Sequence, residues 1–156
     1  MRRKHPHARY TTINAVQGLS IEELDYLQDS QSNSIGALLL HLAAVEIGFQ
    51  IEIFDNRQPN DKELKEWLAA YELGDKGRNE IRGNSLDYYL NKLEQVRART
   101  LKEFGQKNDT WLYEEREWSG LPSNHYFIWF HVFEDEINHR GQIRWLRQRL
   151  PKPNTK

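Results

Sequence analysis

Apolar residues recur at helical spacing in four stretches of this chain, and in no stretch do they alternate in the two-residue period of a half-buried strand. The first stretch, Arg9 to Val16, is short, and Pro6 limits its extent on the N-terminal side. The second, SIGALLLHLAAVEIGFQIEIF from Ser34 to Phe54, is apolar on nearly all sides, as a central helix is, with Asn33 or Ser34 placed to cap it. In the third, Ser85 to Phe104, Leu86, Tyr89, Leu93, Val96, Thr100 and Phe104 share one face, and Gly105 ends the run. The fourth starts after Pro122, with Ser123 or Asn124 as its cap, and ends before Pro151.

The connections between these stretches are long. Asp55 to Asn84 carries a short helical candidate from Asp61 to Tyr71, then the glycine-rich GDKGRNEIRGN. Phe104 to Leu121 holds a small helical piece near Trp111. In SIEELDYL, Ser20 and Glu23 have the spacing of a capping box, which predicts a further turn or two. Four helical stretches with long crossovers predict an all-α fold: a four-helix bundle with short accessory helices, one domain over residues 1–156. The rival is a three-helix core with a fraying N-terminus, because the first helix is so short.

Charge and composition narrow the function classes. Lys plus Arg number 22 against 23 Asp plus Glu, a balance that weighs against a general nucleic-acid binder. The chain has no cysteine, which removes disulfides, thiolate catalysis by the protein and zinc–thiolate sites. No apolar core follows the basic start MRRKHPHARY, so it does not read as a signal peptide. The longest apolar run, Ile35 to Val45, is interrupted by His41 and is too short to span a membrane. A cytoplasmic protein with neither a membrane nor a specific nucleic acid as partner is the expectation.

Against this background, HVFEDEINHRGQI in the fourth stretch stands out. On a helical wheel Ile128, Val132, Ile143, Leu146 and Leu150 fall on one side, and Asp135 and His139 lie in the middle of that arc, one turn apart. His131 lies a turn back near the edge of the arc, Gln142 sits beside it, and Arg140, Arg144 and Arg147 point to solvent. A buried, unpaired carboxylate costs several kcal/mol or changes its protonation state. A divalent metal held by Asp135 and His139 compensates it, and His41, the only histidine of the second helix, is the natural third ligand. Gly48 leaves room beside His41, and Glu52 shares that side as an outer or substituting group. The alternative stays open that Asp135 and His139 form a neutralising ion pair and His41 is a core histidine. Glu134 is expected at a pocket rim, Glu136 on the solvated surface, and His5, His7 and His125 also on the surface. Trp129, Phe130, Phe133 and Ile137 form a second apolar arc that packs on another helix or makes a dimer.

Two motifs now carry a resemblance. Ser34-Ile35-Gly36 leading to Leu40-His41-Leu42-Ala43 and Glu46, together with His139-Arg140-Gly141-Gln142-Ile143, resembles the DinB-like superfamily of small four-helix bundles, which includes the YfiT-like metal-dependent hydrolases. Ala15-Val16-Gln17-Gly18-Leu19-Ser20 is similar to the end of that family's first helix. The family's first helix usually begins earlier, which implies an N-terminus that is truncated or unusually wound.

The resemblance implies metal ligands at His41, Asp135 and His139. The family often has His where Asp135 stands; of the candidates Zn, Ni, Fe, Mn and Co, the change to Asp weighs against Zn and Ni and leaves Fe, Mn and Co open. It implies a hydrolase, a thiol S-transferase or a thiol-dependent isomerase, in which metal-activated water or a low-molecular-weight cofactor thiol attacks a small electrophilic substrate. With no cysteine in the chain, the thiol has to come from a cofactor. His131, Glu134 or Glu46 then moves a proton, His131 being best placed, and Gln142 orients the substrate or a ligand. Homodimers are common in the family. The non-catalytic alternative is a stress-related dimeric metal-binding protein without turnover, in which the basic end (Arg140, Arg144, Arg147, Arg149, Lys152) is only a solvated helix face. An open approach to His41 favours the enzyme, and a sealed site favours the structural role.

Overall fold

A computed structural model of the chain describes residues 7–152. Helices α1 (His7–Val16), α2 (Ile21–Asp25), α3 (Ile35–Phe49), α4 (Asp61–Glu72), α5 (Gly74–Glu80), α6 (Leu86–Phe104), α7 (Asp109–Tyr113) and α8 (His125–Arg147) follow in order. The four periodic stretches are α1, α3, α6 and α8. The central helix α3 packs against α4, α6 and α8, and α1 packs against α8. This is an all-α bundle with short accessory helices.

The caps sit where the sequence places them. Ser34 accepts from the Ala37 backbone N–H (3.1 Å), Asn124 from Phe127 (2.9 Å) and Ser85 from Tyr88 (3.2 Å). Ser20 and Glu23 form the expected capping box, and Asn60 with Glu63 forms a second at the start of α4. Beyond Phe49, α3 widens into a π-helical turn, Gln50–Phe54. There Gln50 Nε2 donates to Val96 O and Thr100 Oγ1 of α6, both at 2.8 Å. With this turn the second stretch runs 20 residues, Ile35–Phe54, at a mean hydropathy of 1.7. By length and composition it reaches what a membrane span needs, which the interruption at His41 obscures. In this fold it is the central helix of the bundle.

The core has two parts. Val16, Leu24, Ile35, Leu38, Leu39, Ala43, Leu93, Ile143 and Leu146 form the larger one. Ile53, Ile128, Trp129 and Val132 form the smaller, packed by Phe49, Phe54, Phe104, Trp111 and Trp118. Of the predicted second arc, Trp129 therefore belongs to the interior, stacked on Phe54 at 4.8 Å between centroids, while Phe130 and Ile137 stand about half exposed.

Between the helices lies a buried ionic cluster with one member from each of the four periodic helices: Arg9 of α1, Glu46 of α3, Arg97 of α6 and Glu136 of α8. Arg9 donates to Glu136 (2.8 Å from Nε), to Glu46 (3.2 Å) and to Leu93 O (2.8 Å). Arg97 donates to Glu46 (2.7 and 3.1 Å) and to Glu136 (3.0 Å), and Thr100 Oγ1 adds a bond to Glu46 at 2.7 Å. Burial pushes the Glu136 carboxyl up, but the Arg9 and Arg97 guanidinium groups outweigh it and hold the group below its usual 4.5.

The structure corrects several expectations. Glu136 is not a solvated residue, because Arg9 and Arg97 take it into the core. Glu46 is sealed in the same cluster and is no proton carrier. His125 is buried rather than on the surface, stacked on Trp111 (4.1 Å) with its Nδ1 2.7 Å from Trp111 O. His7 is exposed as expected, and His5 lies outside the described residues. Two of the three outward arginines bind α1 instead of pointing only at water. Arg140 donates to Thr11 Oγ1, and Arg147 donates to Ala15 O (2.6 Å) and Gln17 O (2.9 Å) at the helix's C-terminal end. The glycine-rich GDKGRNE is helical, held by Arg78, whose guanidinium reaches Asp75 (2.7 Å) and Gln31 O (2.9 Å).

A two-stranded antiparallel hairpin, β1 (Glu115–Trp118) and β2 (Leu121–Asn124), precedes α8. No alternating run announces it. Its turn, Ser119-Gly120, has φ of 53° and 77°, the double left-handed pair of a two-residue hairpin loop.

Gly36 and Gly48 separate by contact. A Cβ on Gly36 would lie 2.6 Å from Tyr89 Oη, so α3 approaches α6 only because the residue is glycine. A Cβ on Gly48 would meet Tyr71 at 3.8 Å, an ordinary contact, so Gly48 is not needed to make room for His41. Gly48→Ala is therefore expected to raise stability by about 0.5–1 kcal/mol and Gly36→Ala to lower it, both read from urea unfolding. Arg97→Met, which strips one cation from two buried carboxylates, is expected to cost about 3–5 kcal/mol in the same measurement. An unchanged midpoint there would show that the cluster does not hold the helices together.

Candidate metal centre

His41 projects from the middle of α3, and Asp135 and His139 project from successive turns of α8. Their ligand atoms all lie within 4.8 Å of one another. His139 Nε2 is 3.2 Å from Asp135 Oδ1, and His41 Nε2 is 3.8 Å from Asp135 Oδ2. The two imidazoles meet edge to face with centroids 4.7 Å apart. The three groups named from the sequence thus converge on one point.

Both rings are oriented from behind. His41 Nδ1 lies 2.8 Å from Ala70 O at the end of α4, an acceptor only, so Nδ1 carries the proton and Nε2 offers its lone pair. His139 Nδ1 lies 3.2 Å from Gln142 Oε1, which turns Nε2 toward Asp135 Oδ1, where it holds a proton until a cation displaces it. Gln142 therefore sits behind His139 rather than in front of the substrate, and its side-chain oxygen orients the ring. Asp135 Oδ2 is buried and has no hydrogen-bond partner. Such an oxygen costs free energy unless a cation meets it.

The donor set fits a divalent transition metal. Two neutral imidazoles and one carboxylate, with no thiolate, suit Zn, Ni, Fe, Mn and Co alike. Ligand bonds of about 2.0–2.2 Å bring ligand atoms to about 3–4 Å from each other, the range of the two shorter separations here. The alternative of a plain Asp135–His139 ion pair leaves Asp135 Oδ2 and His41 Nε2 without partners.

Burial pulls the His41 pKa below its usual 6.5, against opposing help from the Ala70 carbonyl and Asp135. Burial acts the same way on His139, but the hydrogen bond and charge of Asp135 outweigh it and raise that pKa above 6.5. On acidification His139 therefore takes a proton before His41 does.

The centre opens into a cleft of about 400 Å³ walled by Val45, Phe49, Tyr71, Trp118, His131, Glu134 and Asn138. The Asp135 side chain is 28% exposed, so the site is open and not sealed in hydrocarbon. His131 faces the cleft, with Nδ1 2.8 Å from Phe127 O, its ring 4.7 Å from Trp118, and Nε2 3.9 Å from Glu134 Oε2. Glu134 is at the exposed rim, as expected. Glu52 lies in the π-helical turn outside the ligand cluster and faces a neighbouring groove. Sequence reading missed Trp118, Tyr71 and Asn138. The Ser119-Gly120 pair was the one local sign of the hairpin that delivers Trp118.

A four-helix bundle with a His–Asp–His set on its second and last long helices is the DinB-like architecture. The chain belongs to the mycothiol-S-transferase family, whose model matches residues 6–151. A crystal structure described as the conserved protein of a locus from Enterococcus faecalis is similar over 90% of this chain and 89% of that one, with a TM-score of 0.68 and 15% identity, which speaks for the fold alone. No curated protein matches.

His139→Ala is expected to abolish stoichiometric metal binding, measured by metal analysis after dialysis, and full occupancy in that variant would overturn the triad. Because binding expels the His139 proton, affinity should be full well above pH 6.5 and fall by about tenfold per pH unit once His139 protonates. The slope should steepen below pH 6.5, where His41 joins. Competition titrations across pH 5.5–8 would show both limbs.

Proposed function

We propose that the protein is a metal-dependent thiol S-transferase that joins a low-molecular-weight cofactor thiol to a small electrophile. The observation that carries this reading is the buried, unpartnered Asp135 Oδ2 beside the Nε2 atoms of His41 and His139 at the floor of an open cleft. The family name supports the thiol as nucleophile, and mycothiol is the candidate. A chain without cysteine cannot supply the sulfur itself. The site of action proposed is the cytoplasm, where small thiols are kept reduced.

His41, Asp135 and His139 hold the divalent ion, which supplies Lewis acidity that lowers the pKa of the incoming thiol. Gln142 and Ala70 O fix the two imidazoles so that neither rotates away as the thiol enters. His131 is the proposed base. Its Nδ1–H is committed to Phe127 O, which leaves Nε2 to receive the thiol proton and pass it toward Glu134 at the rim. The sulfur lone pair forms the C–S bond, and the leaving group departs with its electron pair or, in an addition, the adjacent carbon takes the proton back. Trp118 and Phe49 cover one side of the cleft and keep water from competing.

The alternative, a dimeric metal-binding protein without turnover, calls for a closed site. The open cleft and the free face of His131 favour catalysis. The proposal is tested by metal-loaded protein with mycothiol and 1-chloro-2,4-dinitrobenzene, beside ester and amide hydrolysis. Conjugate formation is expected to dominate. His131→Ala should keep its metal but lose about a hundredfold in kcat near neutral pH. The deficit should shrink at high pH, where the thiol ionises unaided. Ester hydrolysis outrunning conjugation, or an unimpaired His131→Ala variant, would refute the assignment.

A further inference from the structure

Beside the metal cleft lies a second groove of about 450 Å³, between the end of α3, the face of α4 and the hairpin. Four residues, Val45, Phe49, Tyr71 and Trp118, line both. The two spaces are therefore one continuous depression with the triad at one end. Tyr71 stands at the junction, its ring 6.5 Å from His41, and Trp118 closes it from the other side, 5.9 Å from Phe49 and 4.7 Å from His131. Away from the triad the walls turn apolar, with Leu64, Trp67 and Leu68 of α4 facing Ile47 of α3 and Ile51 of the π-helical turn. A depression of this size, with several flat rings, suits a single-ring or fused-ring organic molecule.

Its charge is equally selective. Among the described residues that line the groove and the metal cleft, Arg57 is the only lysine or arginine. Its guanidinium is already taken. Nη1 and Nη2 each donate to Glu63 at 2.7 Å, Nη1 also bonds Gln58 O at 3.1 Å, and Nη2 lies 3.5 Å from Asp55. Those bonds from Arg57 hold the Glu63 carboxyl down to about 2, so the pair stays ionised and mutually satisfied. Glu52 lines the groove with no cation opposite it among the lining residues, and Glu134 adds a second negative charge at the rim of the cleft. At the end of the groove away from the metal, an entering carboxylate would lose water and find like charge in return.

Resting on the thiol-transferase reading for which reactant goes where, we propose that this groove is the electrophile subsite. It selects an uncharged electrophile with a flat apolar body and rejects one whose body carries a carboxylate. Trp118 and Tyr71 clasp the rings, Leu64 and Trp67 floor the far end, and the reacting carbon points back toward the triad.

The test uses two unreactive probes that differ only in charge, 2,6-dinitrotoluene and 4-methyl-3,5-dinitrobenzoate, the latter being the former with a carboxylate opposite the methyl group. Calorimetric titration of the full-length, metal-loaded chain is expected to find the neutral probe bound at least about tenfold more tightly. Leu64→Arg, at a partly exposed position on the groove wall, introduces the missing cation and should tighten the carboxylate probe by about tenfold, which reverses the preference. Trp118→Ala should weaken the neutral probe. Equal affinity for the two probes, no binding of the neutral one up to its solubility limit, or a Leu64→Arg variant that leaves the preference unchanged would each overturn the proposal. The two readings fail separately. A protein that shows the preference but conjugates no thiol counts against the transferase, and one that conjugates thiols without the preference counts against the groove alone.

Discussion

The buried square of Arg9, Glu46, Arg97 and Glu136 is the constraint on which the rest of the structure depends. Two cations and two anions out of water are tolerated only when every charge meets its opposite with good geometry. Here each of the four bundle helices contributes one corner, so none can rotate or slide without exposing an unpaired charge to the core. Leucine and alanine on α3 pack on almost any side and would leave its rotation loosely defined. Glu46 removes that freedom.

The same square aims the metal site. Glu136 precedes His139 by three residues and follows Asp135 by one. Locking Glu136 against Arg9 and Arg97 turns Asp135 and His139, about 100° and one turn away, toward α3. Glu46, locked in the same way, places His41 on the side of α3 that faces them. The three ligands then meet without a hydrogen bond that holds all of them together. What remains unsatisfied, one oxygen of Asp135 and the His41 Nε2 lone pair, is left so by a scaffold rigid enough to keep those groups near one another. The strength of the square is thus spent on a centre that is costly until a cation arrives.

The outer parts of the site come from elements with little stability of their own. α4 supplies Ala70 O to fix His41 and Tyr71 to edge the cleft, and the hairpin supplies Trp118. These short pieces are held by local devices: a capping box at Asn60, a left-handed pair at Ser119-Gly120, and Arg57 bridged to Glu63. The division suits a catalyst, with ligands on long rigid helices and the selective walls on segments that can be altered without disturbing the metal.

Local order was written in the chain. Helical spacing, the caps at Ser34, Ser85 and Asn124, and the Ser20–Glu23 box set out the helices, and the wheel put Asp135 and His139 on one inward face because an i,i+4 pair is a property of a single helix. The fate of Glu136 was not written there. One residue beyond Asp135, it reads as solvent-facing until Arg9 and Arg97, 127 and 39 positions away, come into contact with it. The same holds for His125 under Trp111, for Arg140 and Arg147 on α1, and for Trp118 over the cleft. Periodicity reports which side of a helix is apolar, while the pairing of a buried charge is decided only when distant elements are packed together.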